Sequence, residues 1–151
     1  MLKKFVSSIA ALALLAGCGA SGGGSKAAAA DQAQTIIKDL GMAEKLEQVD
    51  ERVIQGLFFF DEGMVEDASF YIANDKSADA VGVFKTENPD AVAEYVNDYL
   101  KATKEQMKNY YPDEVFKVDN AVVESDSGRV VLIISEDIES AKSEAKKILG
   151  K

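Results

Sequence analysis

NAVVESDSGRVVLIIS, Asn120 to Ser135, is the stretch on which the fold turns. Asp126-Ser127-Gly128 is a turn signal between two β-rich runs, so the segment predicts a hairpin. Val130 to Ile134 is apolar without a break. A strand with one wet face alternates, whereas one covered on both faces does not. The second arm is therefore expected deep inside a sheet covered on both sides. Beyond it, Ser135 or Asp137 begins a last helix with Ile138, Ala141, Ala145, Ile148 and Leu149 inward. Gly150 supplies its cap.

The same grammar appears upstream. Met64, Ala68, Phe70 and Ile72 share a face at period two, with Glu66 the exception, and Asn74 to Ser77 is turn-like. Ala78 to Thr86 follows as a second strand, in which Gly82 marks close packing of a backbone or a bulky ring. Asn88-Pro89-Asp90 then starts a helix: a capping side chain, proline at the first position, an acid in the first turn. Val92, Tyr95, Val96, Tyr99, Leu100, Thr103, Met107 and Tyr110 hold its apolar stripe, and Pro112 stops it. Nearer the N-terminus, Ala33, Ile36, Ile37 and Leu40 mark a first helix ended by Gly41. Met42 to Val49 is compatible with helix or strand. Asp50 caps a short helix through Val53, Ile54 and Leu57, and the Phe58-Phe59-Phe60 run is expected to be buried. The expected fold is α+β. A helical N-terminal region precedes two hairpin-plus-helix units, which form one antiparallel sheet with helices packed on it. The first helical region covers the other face or an edge.

At the N-terminus, Lys3 and Lys4 precede an apolar run from Phe5 to Ala16, and Leu15-Ala16-Gly17-Cys18 closes it. The run is too short for a stable membrane span, which needs about 18 residues or more. The pattern resembles a bacterial lipoprotein signal peptide with its lipobox. The resemblance implies a diacylglyceryl group on the Cys18 thiol, cleavage between Gly17 and Cys18, and fatty-acyl (palmitate-type) anchoring. Two acyl chains give stable anchoring where one gives only marginal binding. Three segments follow: a signal peptide over 1–17, a lipidated cysteine and Gly/Ser/Ala tether over 18–30, and a single domain over 31–151. Twelve tether residues, Gly19 to Ala30, span roughly 20 Å on average. The expected site is the outer face of the cell membrane. The expected partners are the bilayer, the lipoprotein-processing enzymes and an envelope protein or ligand.

The chain carries 17 basic and 26 acidic residues, a net charge of −9. Cleavage after Gly17 removes two lysines and no acid, leaving 15 against 26, or −11. Such a balance repels phosphate backbones and anionic headgroups, so no nucleic-acid partner is expected. Histidine is absent and Cys18 is the sole cysteine. His-based triads and His/Cys zinc sites are thereby excluded. No cofactor, metal or catalytic residue is assigned. Acid pairs stand at Asp61-Glu62, Glu66-Asp67, Asp113-Glu114 and Glu136-Asp137; two facing carboxylates can hydrolyse glycosides, but adjacent acids in turns are commonly solvated. Asn74, Asp75 and Asp79 are a loose calcium candidate. Among Tyr95, Tyr99, Tyr110, Tyr111 and Phe116, core packing competes with a partner groove. Tyr111 and Phe116 are the groove candidates, Tyr111 being the more exposed because Tyr110 lies on the apolar stripe.

VGVFKTEN (Val81 to Asn88), NYYPDEVFKVDNAVV (Asn109 to Val123) and RVVLIISED (Arg129 to Asp137), in this order and spacing, carry a resemblance over roughly Leu46 to Ala141. The chain resembles a domain-of-unknown-function family of small bacterial lipoproteins, seen mainly in anaerobic, Gram-positive, gut-type bacteria. That resemblance implies a secreted, anchored α+β domain and no catalytic residues. The expected function is a non-enzymatic binding or assembly module of the cell envelope. The alternatives are a small-ligand or cation-binding accessory protein of a transporter and, third, an envelope carbohydrate hydrolase.

Overall fold

The computed structural model describes residues 27–151. The expected signal peptide and cleavage site, with Gly17 and Cys18, lie outside the described residues. The elements are α1 (Ala29–Asp39), β1 (Leu46–Gln48), α2 (Glu51–Phe58), β2 (Asp67–Ala73), β3 (Ala80–Lys85), α3 (Pro89–Tyr110), a 3-10 turn (Pro112–Glu114), α4 (Val115–Asp119), β4 (Val122–Ser125), β5 (Arg129–Ile134) and α5 (Ile138–Leu149). The strands form one antiparallel sheet in the order β1-β2-β3-β5-β4. The chain is α+β, as the hairpin reading predicts. Among the described residues no helix is long and apolar enough to cross a membrane.

Period two divides β5 between two cores. Val131 and Ile133 join Val81, Val83 and Val122 beneath α1 and α5. Val130, Leu132 and Ile134 join Phe70, Ala80 and Phe84 beneath α2, α3 and Val118 of α4. All five residues from Val130 to Ile134 are fully buried, so the unbroken apolar run means what it predicts. The first helical region splits: α1 shares a face with α5, β1 forms an edge, and α2 lies on the α3 face. The two hairpin-plus-helix units are not a symmetric repeat. Their central strands β3 and β5 are antiparallel, yet α3 and α5 lie on opposite faces.

The helix ends obey local chemistry. Asn88 accepts from Ala91 N–H at the start of α3, Asp50 from Val53 N–H at α2, and Asp137 from Ser140 N–H at α5. Gly150 closes α5 at φ +72°. The expectation for Phe58-Phe59-Phe60 needs correction. Phe58 and Phe60 are buried, with their rings stacked 5.2 Å apart, but Phe59 is 75% exposed. It ends α2 at φ +56°, a left-handed conformation that costs a side-chain-bearing residue about 1–2 kcal/mol. At a helix end packed on a single core three successive side chains cannot all face it, and the turn that sends Phe60 back to the core sends Phe59 out.

The register defines two ends of the sheet. Asp67, Lys85 and Arg129 are partners at one end; Ile72, Ala80 and Ile134 are partners at the other. The first described residues are fastened to the former. Asp67 Oδ2 accepts from Ala29 N–H at 2.8 Å, and the Lys85 ammonium donates to Ala27 C=O at 3.4 Å. We call this the tether end. Six-residue β3 separates it from the far end by roughly 17 Å.

Candidate functional site

At the far end the β2–β3 loop meets the chain leaving α3. Tyr111, at φ −142°, breaks the helix, and the following turns bring Glu114 and Lys117 over Ser77 to Asp79. The Glu114 carboxylate accepts from Ala78 N–H (2.8 Å) and Ser77 Oγ–H (3.0 Å). Lys117 Nζ lies 3.0 Å from Glu114 Oε2, 3.1 Å from Ser77 Oγ and 3.2 Å from Asp79 Oδ1. The Asp79 contact is an ion pair without hydrogen-bond alignment, since Oδ1 is a buried oxygen without such a bond. Asp79 itself is only 7% exposed. A cleft of about 510 Å³ opens beside this cluster, lined among others by Lys45, Lys76, Tyr110, Tyr111 and Asp113.

Burial alone would raise the Glu114 pKa. The hydrogen bonds from Ala78, Lys117 and Ser77 outweigh it and hold the carboxyl below its ordinary value. Burial likewise opposes the charge on Lys117, but Glu114 and Asp79 overcome it and raise the ammonium pKa. Lys117 donates to Ser77 Oγ and, with Glu114, forms a polar clamp that ties the β2–β3 loop to α4.

The structure divides the aromatic set. Tyr95 and Tyr99 pack with Phe58, Phe60 and Phe70 in the core, and the Tyr95 hydroxyl donates to Asp61 at 3.0 Å. Tyr110 and Tyr111 exchange their expected roles. Tyr110 is 71% exposed, whereas Tyr111 is half-buried against the cleft. The α3 stripe continues to Tyr110 in sequence, but beyond Thr103 only half-buried Met107 still packs on the core, and Tyr110 in the last turn stands clear of it. Phe116 is 56% exposed on α4. Tyr110 and Phe116 are therefore the exposed aromatics near this end, and Tyr111 is the cleft wall. The missing sequence signal was the pair of short helices after Pro112, which bring Lys117 and Glu114 to the loop.

The calcium candidates have separate tasks. Asn74 donates to Glu47, Asp75 accepts from Ser77 N–H at 2.8 Å, and Asp79 pairs with Lys117. Each acid pair also has an engaged member: Asp61 holds Tyr95, Asp67 holds Ala29 N–H, Glu114 holds the loop, and Asp137 caps α5.

Neither the curated proteins nor the solved structures provide a match to the chain. A family match does exist, and it covers residues 38–135, from the last two residues of α1 to just past the end of β5. It takes in the far-end loop, Tyr111 and the Glu114–Lys117 clamp. The chain therefore belongs to the family described as Domain of unknown function (DUF4358).

Proposed function

We infer that this is a membrane-anchored extracytoplasmic lipoprotein, a non-enzymatic binding or assembly module that presents its far-end cleft to an envelope partner. The observation that carries the reading is polarity of the domain. Ala27 and Ala29 are fastened at one end of the sheet, while Tyr110, Tyr111 and the Glu114–Lys117 clamp gather at the other. If Cys18 is lipidated, nine residues reach from it to Ala27, at most about 30 Å when extended. The tether end is then held toward the bilayer and the cleft faces outward. Exposed Tyr110 and half-buried Tyr111 beside a charged cleft suit a protein or small-molecule partner, because an aromatic ring gives contact area at low entropic cost. The cleft volume, about 510 Å³, falls in the small-ligand range of roughly 300–1,000 Å³ and supports the transporter-accessory alternative.

The test has two parts. Labelled fatty acid should enter the wild-type chain and not Cys18→Ala, and mature wild type should begin at Cys18. A photo-crosslinker at Tyr110 should trap an envelope component in living cells that one at Asn88, beside the tether end, does not. An acylated Cys18→Ala variant would sink the anchor. Identical products from both positions would sink the outward-facing cleft.

A further inference from the structure

The outer face and end of α2 carry three residues whose side-chain identity the fold does not require. Val53 is exposed. Gly56 stands inside the helix, and a Cβ there would meet no atom within 4 Å. Phe59 is exposed and held at φ +56°, a conformation that suits glycine. Core packing is served by Ile54, Phe58 and Phe60 instead. The three residues follow at spacings of three, so neighbours share a helix surface. Exposed apolar groups, and a backbone strain that glycine at position 59 would avoid, point to a partner.

The surrounding charge identifies that partner's chemistry. Residues 46–67 carry seven carboxylates and a single cation, Arg52. The adjoining cleft of about 480 Å³ is lined by Asp50, Glu51, Glu66 and Asp67 and by no lysine or arginine. Such a rim repels anionic headgroups and attracts cations. We propose that the α2 face, Val53-Gly56-Phe59, docks a basic amphipathic helix of a partner protein. Its apolar stripe covers Val53 and the Phe59 ring. Gly56 leaves a notch for close approach of the helix axes, which otherwise stand about 8–10 Å apart. Its lysines or arginines meet the carboxylates of 46–67 and set orientation and on-rate. This surface is separate from the Tyr111 cleft and does not depend on it.

The probe is a short fluorescent leucine–lysine peptide with leucines at helical spacing, titrated against the full lipidated chain in phosphatidylcholine nanodiscs. Empty nanodiscs supply the lipid background. Two variants are compared: Phe59→Gly, which relieves the backbone, and Gly56→Gln, which fills the notch while favouring helix. Each should weaken peptide binding at least about tenfold with melting temperature unchanged or raised. A leucine–glutamate peptide should not bind. Equal affinity for wild type and both variants overturns the proposal, as does equal binding of the acidic peptide. A lowered melting temperature in both variants also overturns it, because the residues would then serve the fold. Self-association of wild type that Phe59→Gly abolishes, without peptide binding, assigns the face to a second copy and likewise overturns it.

Discussion

A Cβ added at Gly82 would lie 2.9 Å from two ring carbons of Phe84 and 3.0 Å from Phe70. β3 can hold Phe84 over its own backbone because position 82 has no side chain. Gly82→Ala forces two packed rings to shift, and overpacking of this kind costs about 1–3 kcal/mol. Thermal melts should show a clear loss; an unchanged melting temperature would mean that the rings yield freely. Leu132, fully buried in the same core, sets the other limit. Leu132→Ala leaves a cavity worth about 2–5 kcal/mol, whereas half-buried Tyr111→Ala should cost less. Gly82 was legible because a glycine inside an apolar strand has few other meanings. Phe59 was not. Composition marks a triple phenylalanine as core, and only the left-handed turn after α2 decides which ring is turned out. The exposure of Tyr110 and Tyr111 was not legible for a related reason: the helical stripe gives direction around the axis but not where the underlying sheet ends.

The elements themselves were largely written in their caps. Asn88-Pro89-Asp90, Asp137 and Gly150 each sit where the corresponding helix begins or ends. The short helices after Pro112 left no such signature, and they complete the polar clamp. Lys117 bridges α4 to the β2–β3 loop, with Glu114 and Asp79 as its counter-charges. Glu114 has a lowered pKa in the folded chain, so its contribution to stability is present above the ordinary carboxylate range. That contribution is lost as pH falls through the folded value. Lys117 has a raised pKa, so its contribution is present below the ordinary lysine range and lost as pH rises through the folded value. Glu114→Gln should lower the melting temperature at neutral pH and flatten its acid-side decline. Lys117→Met, which strands buried Asp79, should cost more. Parallel acid limbs for wild type and Glu114→Gln would show that the clamp contributes nothing to acid stability.

At the scale of the whole molecule, one face of the sheet depends on helices from opposite ends of the described residues, the other on helices from between them. α1 and α5 together cover Val81, Val83, Val122, Val131 and Ile133. The family match ends at residue 135, before α5, yet α5 buries Ala141, Ala145, Ile148 and Leu149 on that face. It also satisfies a buried charge. Arg129 Nη1 donates to Ile148 C=O at 2.9 Å, while its other nitrogens hold Asp126 in the hairpin turn. A chain ending at Ser135 would uncover half of one core. Burying Ile148 and Leu149 is worth about 1.5–3 kcal/mol each, and a hydrogen bond to a charged group is worth about 1.5–3 kcal/mol. The sum is comparable to the roughly 5–15 kcal/mol that stabilises an ordinary domain. The truncated chain should therefore lack a cooperative thermal transition by circular dichroism, and adding a peptide of residues 136–151 at high concentration should restore part of it. A cooperative melt near the wild-type temperature without α5 would show that residues 38–135 and α1 hold the sheet by themselves. The hairpin sequence predicted that β5 is covered on both sides. It could not say that the second cover comes from either end of the chain, because period two assigns residues to faces and not faces to helices.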